Sequence, residues 1–309
     1  MEKHVNLSVL PAVVVLGAGR LGATLLRDLA LAGVPVQGWA RPSERSQQVQ
    51  SWLQAQDLAS PGLVQDLPRH IGIGLLAVSD RQVDVVAASL AQQGIAVDVL
   101  LHVSGALPVQ PLRASGAGAC GSCHPLAAVA DPLRAAGRLS PLQGALFAVD
   151  GDPAAQQVAE RLAKALGGFA VSVPTTQRAA YHAAAALIAN DWVALADAAL
   201  RTVHSAGLPN DALRLGLLHL AQTALDALKQ LPAHQPLVLG LTGAVARGDA
   251  ATLATHMAAI ADPRVRDLHR QASGLLVEQC VAEGLLTDLT AAGLRAALGA
   301  GRRTGGNLG

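Results

Sequence analysis

The chain has 309 residues, of which 51% are apolar and 15% charged, with a formal net charge of +1. That length carries one large or two ordinary domains with ample core, and the composition excludes a wholly disordered chain. A near-neutral balance and an aromatic content of 2% exclude nucleic acid as a partner, because there is neither a basic field for phosphates nor a stacking platform for bases.

Residues 13–16, Val-Val-Val-Leu, read as a buried strand that runs straight into Gly17-Ala18-Gly19-Arg20-Leu21-Gly22. A helix is expected from Arg20 to Ala32, stopped by Gly33 with Pro35 just beyond. Strand, glycine turn and helix in that order make a mononucleotide-binding unit. Gly17 permits the tight turn, Gly19 lets the backbone approach a pyrophosphate, and Gly22 lets helix and strand pack closely. The helix N-terminus adds free N–H groups and the positive end of its dipole. A merely structural glycine turn is the competing reading, and the flanking elements weigh against it.

Strands and helices keep alternating. A strand is expected over Val34 to Ala40, a helix over Ser43 to Gln56, a short strand at Leu63, a strand over Ile71 to Val78, a helix over Val83 to Gln93 and a strand over Val97 to Val103. Two more apolar runs, Ala145 to Val149 and Phe169 to Val173, flank a helical stretch from Pro153 to Leu166 and extend the same sheet. Such alternation predicts an α/β fold, a doubly wound parallel sheet of Rossmann type with helices on both faces. After Pro174 only helices are expected: Gln177 to Ala206, Ala212 to Lys229, Asp249 to Ile260, Pro263 to Glu283 and Thr287 to Leu298. The chain therefore divides into a dinucleotide-binding domain, residues 1–174, and an all-α domain, residues 175–309, with a flexible Gly- and Arg-rich tail from about residue 299.

Met1 to Leu10 lacks the long apolar run of a secretory signal, so a cytoplasmic protein is expected. The most apolar stretch, Ala179 to Leu200, contains His182, Asn190, Asp191 and Asp197, which makes it a poor membrane span and a good buried helix. Cys120-Gly-Ser-Cys123-His124 fits the C-x-x-C-H pattern of haem attachment, yet without an export signal it reads as ordinary thiols in a loop. No metal site is expected, since His204, His219, His234 and His256 lack ligand spacing and Cys280 stands alone.

An NAD-preferring fold places an acid at the end of the second strand, and here none stands between Val36 and Ala40. Arg41-Pro42-Ser43-Glu44-Arg45 follows instead, offering Arg41 to a 2′-phosphate and Ser43 as a donor, so NADP is the expected cofactor. The competing reading is a solvated loop with two ordinary arginines. Val78, Ser79 and Asp80 end one strand, and Ser104-Gly105 follow another; both lie at the carboxyl edge of the sheet, where α/β folds bind ligands.

Gly-Ala-Gly-Arg-Leu-Gly at 17–22, Leu-Ala-Val-Ser-Asp at 76–80, His-Val-Ser-Gly-Ala-Leu at 102–107, Cys-His-Pro-Leu at 123–126, Tyr181-His182 through Ala189-Asn190 and Leu-Thr-Gly-Ala-Val-Ala-Arg-Gly-Asp at 241–249 stand in that order. The series resembles the bacterial Rossmann-like oxidoreductases whose helical C-terminal half is a domain of unknown function, over residues 13 to roughly 260. That group is in turn similar to the 6-phosphogluconate and β-hydroxyacid dehydrogenases and the pyrroline-5-carboxylate reductases. The resemblance implies an NADP-binding N-terminal domain, a helical C-terminal domain through which the protein forms a homodimer, and an active cleft between the two. It names no substrate. One departure matters: β-hydroxyacid dehydrogenases carry a catalytic Lys on the first long helix of their second domain, whereas here that helix begins Arg178-Ala-Ala-Tyr181-His182 and has no Lys.

His182 is the titratable group left nearest that place, and an imidazole serves as acid or base near neutral pH. Asn190, eight residues on, is expected about 12 Å further along the same helix, lining the same cleft. His124, ahead of Pro125, is expected to reach the cleft from a loop, as a proton relay or a substrate contact. Ser104 is a binding donor for cofactor and substrate, because no Gly-x-Ser-x-Gly elbow surrounds it. Gly105 and Thr242 complete the expected substrate contacts, with Arg247 as a carboxylate clamp. Against these stand blander readings: a satisfied core His182, a solvent-facing Asn190, an exposed His124, and a plain helix cap at Asp249 beside Arg247.

The expected activity is hydride transfer between NADP(H) and a small carbonyl, imine or hydroxy compound carrying a carboxylate, with the cofactor supplying the hard chemistry. A non-catalytic NADP-binding sensor or regulatory protein is the alternative from another class, motivated by the missing Lys. A methyltransferase is a third reading, and it has no use for Arg41 beside the ribose.

Overall fold

The structure, a computed structural model, describes residues 10–56, 58, 62–134, 140–208 and 210–299. The expected flexible tail lies outside the described residues, apart from Gly299. Val13–Leu16 forms β1, buried along its whole length. Its side chains alternate: Val13 and Val15 join one core cluster, Val14 and Leu16 the cluster on the opposite face. A strand covered on both sides must be apolar at every position, which is why this run shows no polar alternation.

Arg20–Leu31 forms α1, ended by Gly33 at φ +73°, with Val34 N–H returning to Leu29 C=O at 2.9 Å. Val36–Trp39 is β2, Glu44–Gln54 is α2, Leu63–Val64 is β3, His70–Leu76 is β4, Val83–Gln92 is α3 and Ala96–His102 is β5. Ala119–Pro125 is β6, Leu146–Gly151 is β7, Pro153–Ala165 is α4 and Phe169–Ser172 is β8. The eight strands form one sheet in the order β3-β2-β1-β4-β5-β6-β7-β8. Every neighbouring pair is parallel except β6 and β7, where His124 lies opposite Ala148 in antiparallel register.

Two expectations change here. The sheet is not wholly parallel: among the described residues no helix crosses between β6 and β7, and a parallel return needs such a crossover. The segment read as a loop with ordinary thiols is a central strand, buried at Cys120, Gly121, Ser122 and Cys123. Small residues are needed there because α4 packs close; a Cβ on Gly121 would stand 2.8 Å from the Ala155 Cβ and 2.7 Å from the Asp150 carbonyl oxygen. Cys120 and Cys123 join cores on opposite faces of the sheet, so their sulfurs cannot converge on one ligand. Burial pushes the Cys123 thiol up to about 12.

The switch from strands to helices falls after β8, but the chain divides into two compact units between Ala189 and Asn190 rather than at 174. Arg178–Ala189, α5, belongs to the first unit, because Arg178 is bonded into the sheet edge. The single long helix expected over 177–206 is broken at Asn190, and Asp191–Ser205 is α6 of the second unit.

In the second unit, Asn210–Lys229 is α7, Ala250–Ala259 is α8, Pro263–Ala282 is α9 and Asp288–Gly299 is α10. Leu253, Met257, Val277, Cys280 and Leu294 knit α8, α9 and α10 into a core. α6 and α7 pack on one another, and α5 and α6 bury little, contrary to the expectation of a buried apolar helix over Ala179 to Leu200. Leu187, Ile188 and Val193 are exposed in α5 and α6, as are Leu215 and Leu220 in α7. Thr175–Ser205 is long and apolar enough by composition to cross a membrane, but Arg178 is tied to the sheet and charged Asp191, Asp197 and Arg201 interrupt the rest.

Candidate active site

The glycine turn joins β1 to α1, and its three glycines meet different surroundings. Gly17 has φ +125°, and a Cβ there would collide with the Ala77 carbonyl. On Gly22 a Cβ would collide with the Gly17 carbonyl, so helix and turn touch backbone to backbone. Gly19, at φ −71° and ψ −173°, is the N-cap of α1, and a Cβ there would meet only the Ala77 oxygen, at 4.0 Å. The protein's own packing thus demands glycine at 17 and 22 but leaves open space at 19, which suits a diphosphate lying against the backbone.

That space belongs to a groove of about 460 Å³ lined by Gly17, Ala18, Gly19, Trp39, Arg41 and Ser43, and also by Val78 and Gln82. Arg41 is exposed and donates to the Gln82 side-chain oxygen at 2.7 Å. The Ser43 hydroxyl is already the N-cap of α2, accepting from Ser46 N–H at 3.1 Å and donating to the Ser46 hydroxyl oxygen at 3.2 Å, so it would have to turn to donate to a phosphate. Arg45, which sequence places in the same turn, is held by Asp131 through two bonds of 2.8 and 3.0 Å, and also donates to the Ala18 carbonyl. Arg20 is exposed and Leu21 partly buried at the start of α1. Trp39 and Gln82 were not singled out from sequence; a large ring at the last position of β2 was the available signal.

Further along the carboxyl edge, four elements bring polar groups together. The β5–β6 register sets His102 level with Ser122, so His124 extends beyond the end of β5, beside Ser104 and Gly105. The His124 Nδ1 lies 2.8 Å from the Tyr181 hydroxyl, and the rings meet edge to face at 5.6 Å. His182 stands 6.2 Å from His124, centroid to centroid. Gly105 sits between: a Cβ there would lie 2.6 Å from His182 Cδ2 and 2.9 Å from His124 Cε1 and Nε2. Burial, then the neighbouring His182 and Arg178, holds His124 down to about 4, so it is neutral at pH 7. His124 is therefore on a strand, not a loop, and His182 is exposed rather than buried in a helix core.

Ser104 is less free than expected. Its hydroxyl accepts from Ala106 N–H at 3.2 Å and Leu107 N–H at 3.1 Å, fixing the turn after β5. Ser79 and Asp80 are exposed at the end of β4, where the Ser79 carbonyl accepts from Gln82 N–H.

Sequence reading missed three groups in this cluster. Tyr181 was quoted only as part of a motif. His102, wholly buried, accepts from Ser104 N–H at Nδ1 and donates from Nε2 to the Pro108 carbonyl, both at 3.2 Å, which fixes its neutral tautomer. Burial, with Arg178 second, holds it down to about 4. Between pH 6.5 and 4 the unfolded chain therefore binds a proton that the folded one refuses, and stability present above 6.5 is lost as pH falls through that window. On the order of 3 kcal/mol rides on this residue. Denaturant midpoints at pH 7 and pH 4.5 should show a steeper acid loss for the wild type than for His102→Gln; parallel slopes would contradict it. Arg178, the third, is the largest fully buried side chain, donating to the Ser122 hydroxyl at 2.7 Å and the Ser104 carbonyl at 2.8 Å.

The remaining expected residues lie in the second unit. Asn190 is exposed, caps nothing with its side chain and breaks the helix it was expected to continue. Thr242 and Arg247 are exposed on the turn before α8, whose cap is Asp249, accepting from Thr252 N–H at 2.9 Å.

Residues 145–275 match the family described as a domain of unknown function, DUF2520. No curated protein matches the chain. Among solved structures, a Bacteroides fragilis protein named as an NADP oxidoreductase superposes with a TM-score of 0.66 at 17% identity, over 86% of this chain and 97% of that one. A Thermotoga maritima protein does so at 0.59 and 22% identity, over 94% and 100%. A Plasmodium falciparum pyrroline carboxylate reductase with NADP bound gives 0.53 and 13%, over 94% and 98%. With its glycine turn, its strand order and its helical second half, the chain has the Rossmann-type fold of the NADP oxidoreductases and pyrroline carboxylate reductases, and its residues 145–275 match DUF2520.

Proposed function

We propose that the protein is an NADP-dependent oxidoreductase that moves a hydride between NADP(H) and a small carbonyl, imine or hydroxy compound, one that carries a carboxylate. The observation that carries this reading is the convergence of His124, Tyr181 and His182 around Gly105, on the sheet edge that also bears the glycine turn. When bound, the dinucleotide supplies or accepts the hydride. Gly17, Ala18, Gly19 and the first turn of α1 would hold its diphosphate, and Arg41 with Ser43 its 2′-phosphate. His124, Tyr181 and His182 would bind the reacting group and move its proton, while Ser104 holds the turn that carries Gly105.

Consumption of NADPH absorbance against a panel of keto acids, hydroxy acids and cyclic imines tests the activity. Binding of NADPH without turnover of any member would favour the sensor reading instead. For the cofactor, Arg41→Ala is expected to weaken NADPH on the order of tenfold, about 1.4 kcal/mol, and to leave NADH unchanged. Equal losses for both would remove Arg41 from the 2′-phosphate.

The exposed leucines of α7 support a homodimer built through the helical unit, since a twenty-residue helix with no buried side chain among the described residues leaves a wide apolar face in water. Light scattering is expected to give twice the chain mass, and Leu215→Glu with Leu220→Glu to return it to one; a monomeric wild type would refute the dimer.

A further inference from the structure

Arg178 opens α5 three residues ahead of Tyr181, so the two side chains share a helix face. Arg178 is 1% exposed, and among the described residues its guanidinium donates only to a hydroxyl and a carbonyl, while its Nε has no hydrogen-bond partner. Among the described residues no carboxylate forms an ion pair with it. The acid whose charge acts on it, Asp150, is occupied by the Thr175 hydroxyl at 2.7 Å and the Gly151 N–H at 2.9 Å. A positive charge kept in low dielectric without a counter-ion is costly, and it favours whatever nearby group becomes negative. Groups that face His124 are Arg178, His182, His102 and Asp80, and Asp80 is exposed, where water screens it. Tyr181 faces Arg178 and the His124 ring.

We infer that the reducible group is a carbonyl, whose oxygen gathers negative charge beside Arg178 and takes its proton from Tyr181, and not an iminium carbon. This rests on the reading of the protein as an NADP-dependent reductase. When bound, the reduced nicotinamide would supply a hydride to the carbonyl carbon, and the carbonyl oxygen, taking up the π pair, would become an alkoxide. The Tyr181 O–H bond then breaks, its proton passes to that oxygen, and water reprotonates the phenolate. Both anions lie near the buried guanidinium. An iminium or ammonium ion at the same place would be repelled by it, and no buried carboxylate offsets the repulsion among the described residues.

Tyr181 is the only tyrosine of the chain, so tyrosinate absorbance titrates this hydroxyl alone in the cofactor-free protein. Arg178→Met is expected to move that midpoint to higher pH, and Arg178→Lys to restore most of the shift; identical midpoints in all three would overturn the inference. Should Arg178→Met not fold, the comparison of wild type with Arg178→Lys against solvent-exposed tyrosinate in the unfolded chain still reads the guanidinium. With NADPH, kcat/KM for carboxylate-bearing carbonyl compounds is expected to exceed that for cyclic imines by at least 100-fold. Turnover confined to imines overturns the inference and keeps the reductase reading; turnover of neither, with NADPH bound, overturns both.

Discussion

Gly19→Ala is expected to leave the protein about as stable as the wild type while weakening NADPH on the order of 10- to 100-fold, about 1.4 to 2.8 kcal/mol. The added methyl meets only the Ala77 oxygen at 4.0 Å, and the backbone angles suit any residue. Its internal cost is therefore the N-cap preference for Gly over Ala, below about 1 kcal/mol. A diphosphate laid against that backbone would meet the methyl directly. Gly17→Ala is the contrasting variant. Its φ of +125° and the collision with the Ala77 carbonyl should cost roughly 2–4 kcal/mol of stability, with cofactor binding falling as a consequence. Thermal melts and fluorescence titration of NADPH on both variants separate the cases. If Gly19→Ala bound NADPH like the wild type, the turn would be structural only, and the groove at residues 17–19 would lose its assignment.

Much of the first unit is legible in the sequence because burial on two faces writes unbroken apolar runs, as in Val13–Leu16, and because glycine stops such as Gly33 mark helix ends. β6 escaped for the same physical reason that makes it work. Close packing of α4 demands Gly121 and small neighbours, and a strand of Ala, Cys, Gly and Ser shows no β-branched signature. His124 was thus read on a loop although its register on β6 is what sets it beside Gly105. His102 and Arg178 were invisible for another reason: nothing local tells a buried, internally bonded polar side chain from an exposed one, and their partners are turns and strands distant in sequence. The apolar helices α5 to α7 show the converse limit. Hydrophobicity announces that a face will be covered, but the chain alone cannot say that its own core does the covering.

Tyr181→Phe is expected to lower kcat by about 10²–10³, roughly 2.7–4.1 kcal/mol of transition-state stabilisation, with the NADPH dissociation constant within about twofold of the wild type. Phe keeps the ring and its edge-on packing against His124 at 5.6 Å, so the substitution removes a hydroxyl and little else. Among the described residues that hydroxyl is the sole side-chain hydrogen-bond partner of His124, whose neutral imidazole lies 2.8 Å from it at Nδ1. Burial raises the phenol while Arg178 opposes the rise, so the wild-type hydroxyl stays protonated at neutral pH and remains a donor to a stronger base such as an alkoxide. The alkaline limb of the kcat profile should accordingly disappear in the Phe variant. His182→Ala provides the discriminating comparison, because His182 is exposed and, among the described residues, has no hydrogen bond to fix its orientation. Its loss is expected to be the smaller of the two. A larger loss at His182 than at Tyr181 would return the proton donor to the imidazole and leave Tyr181 as a support for His124.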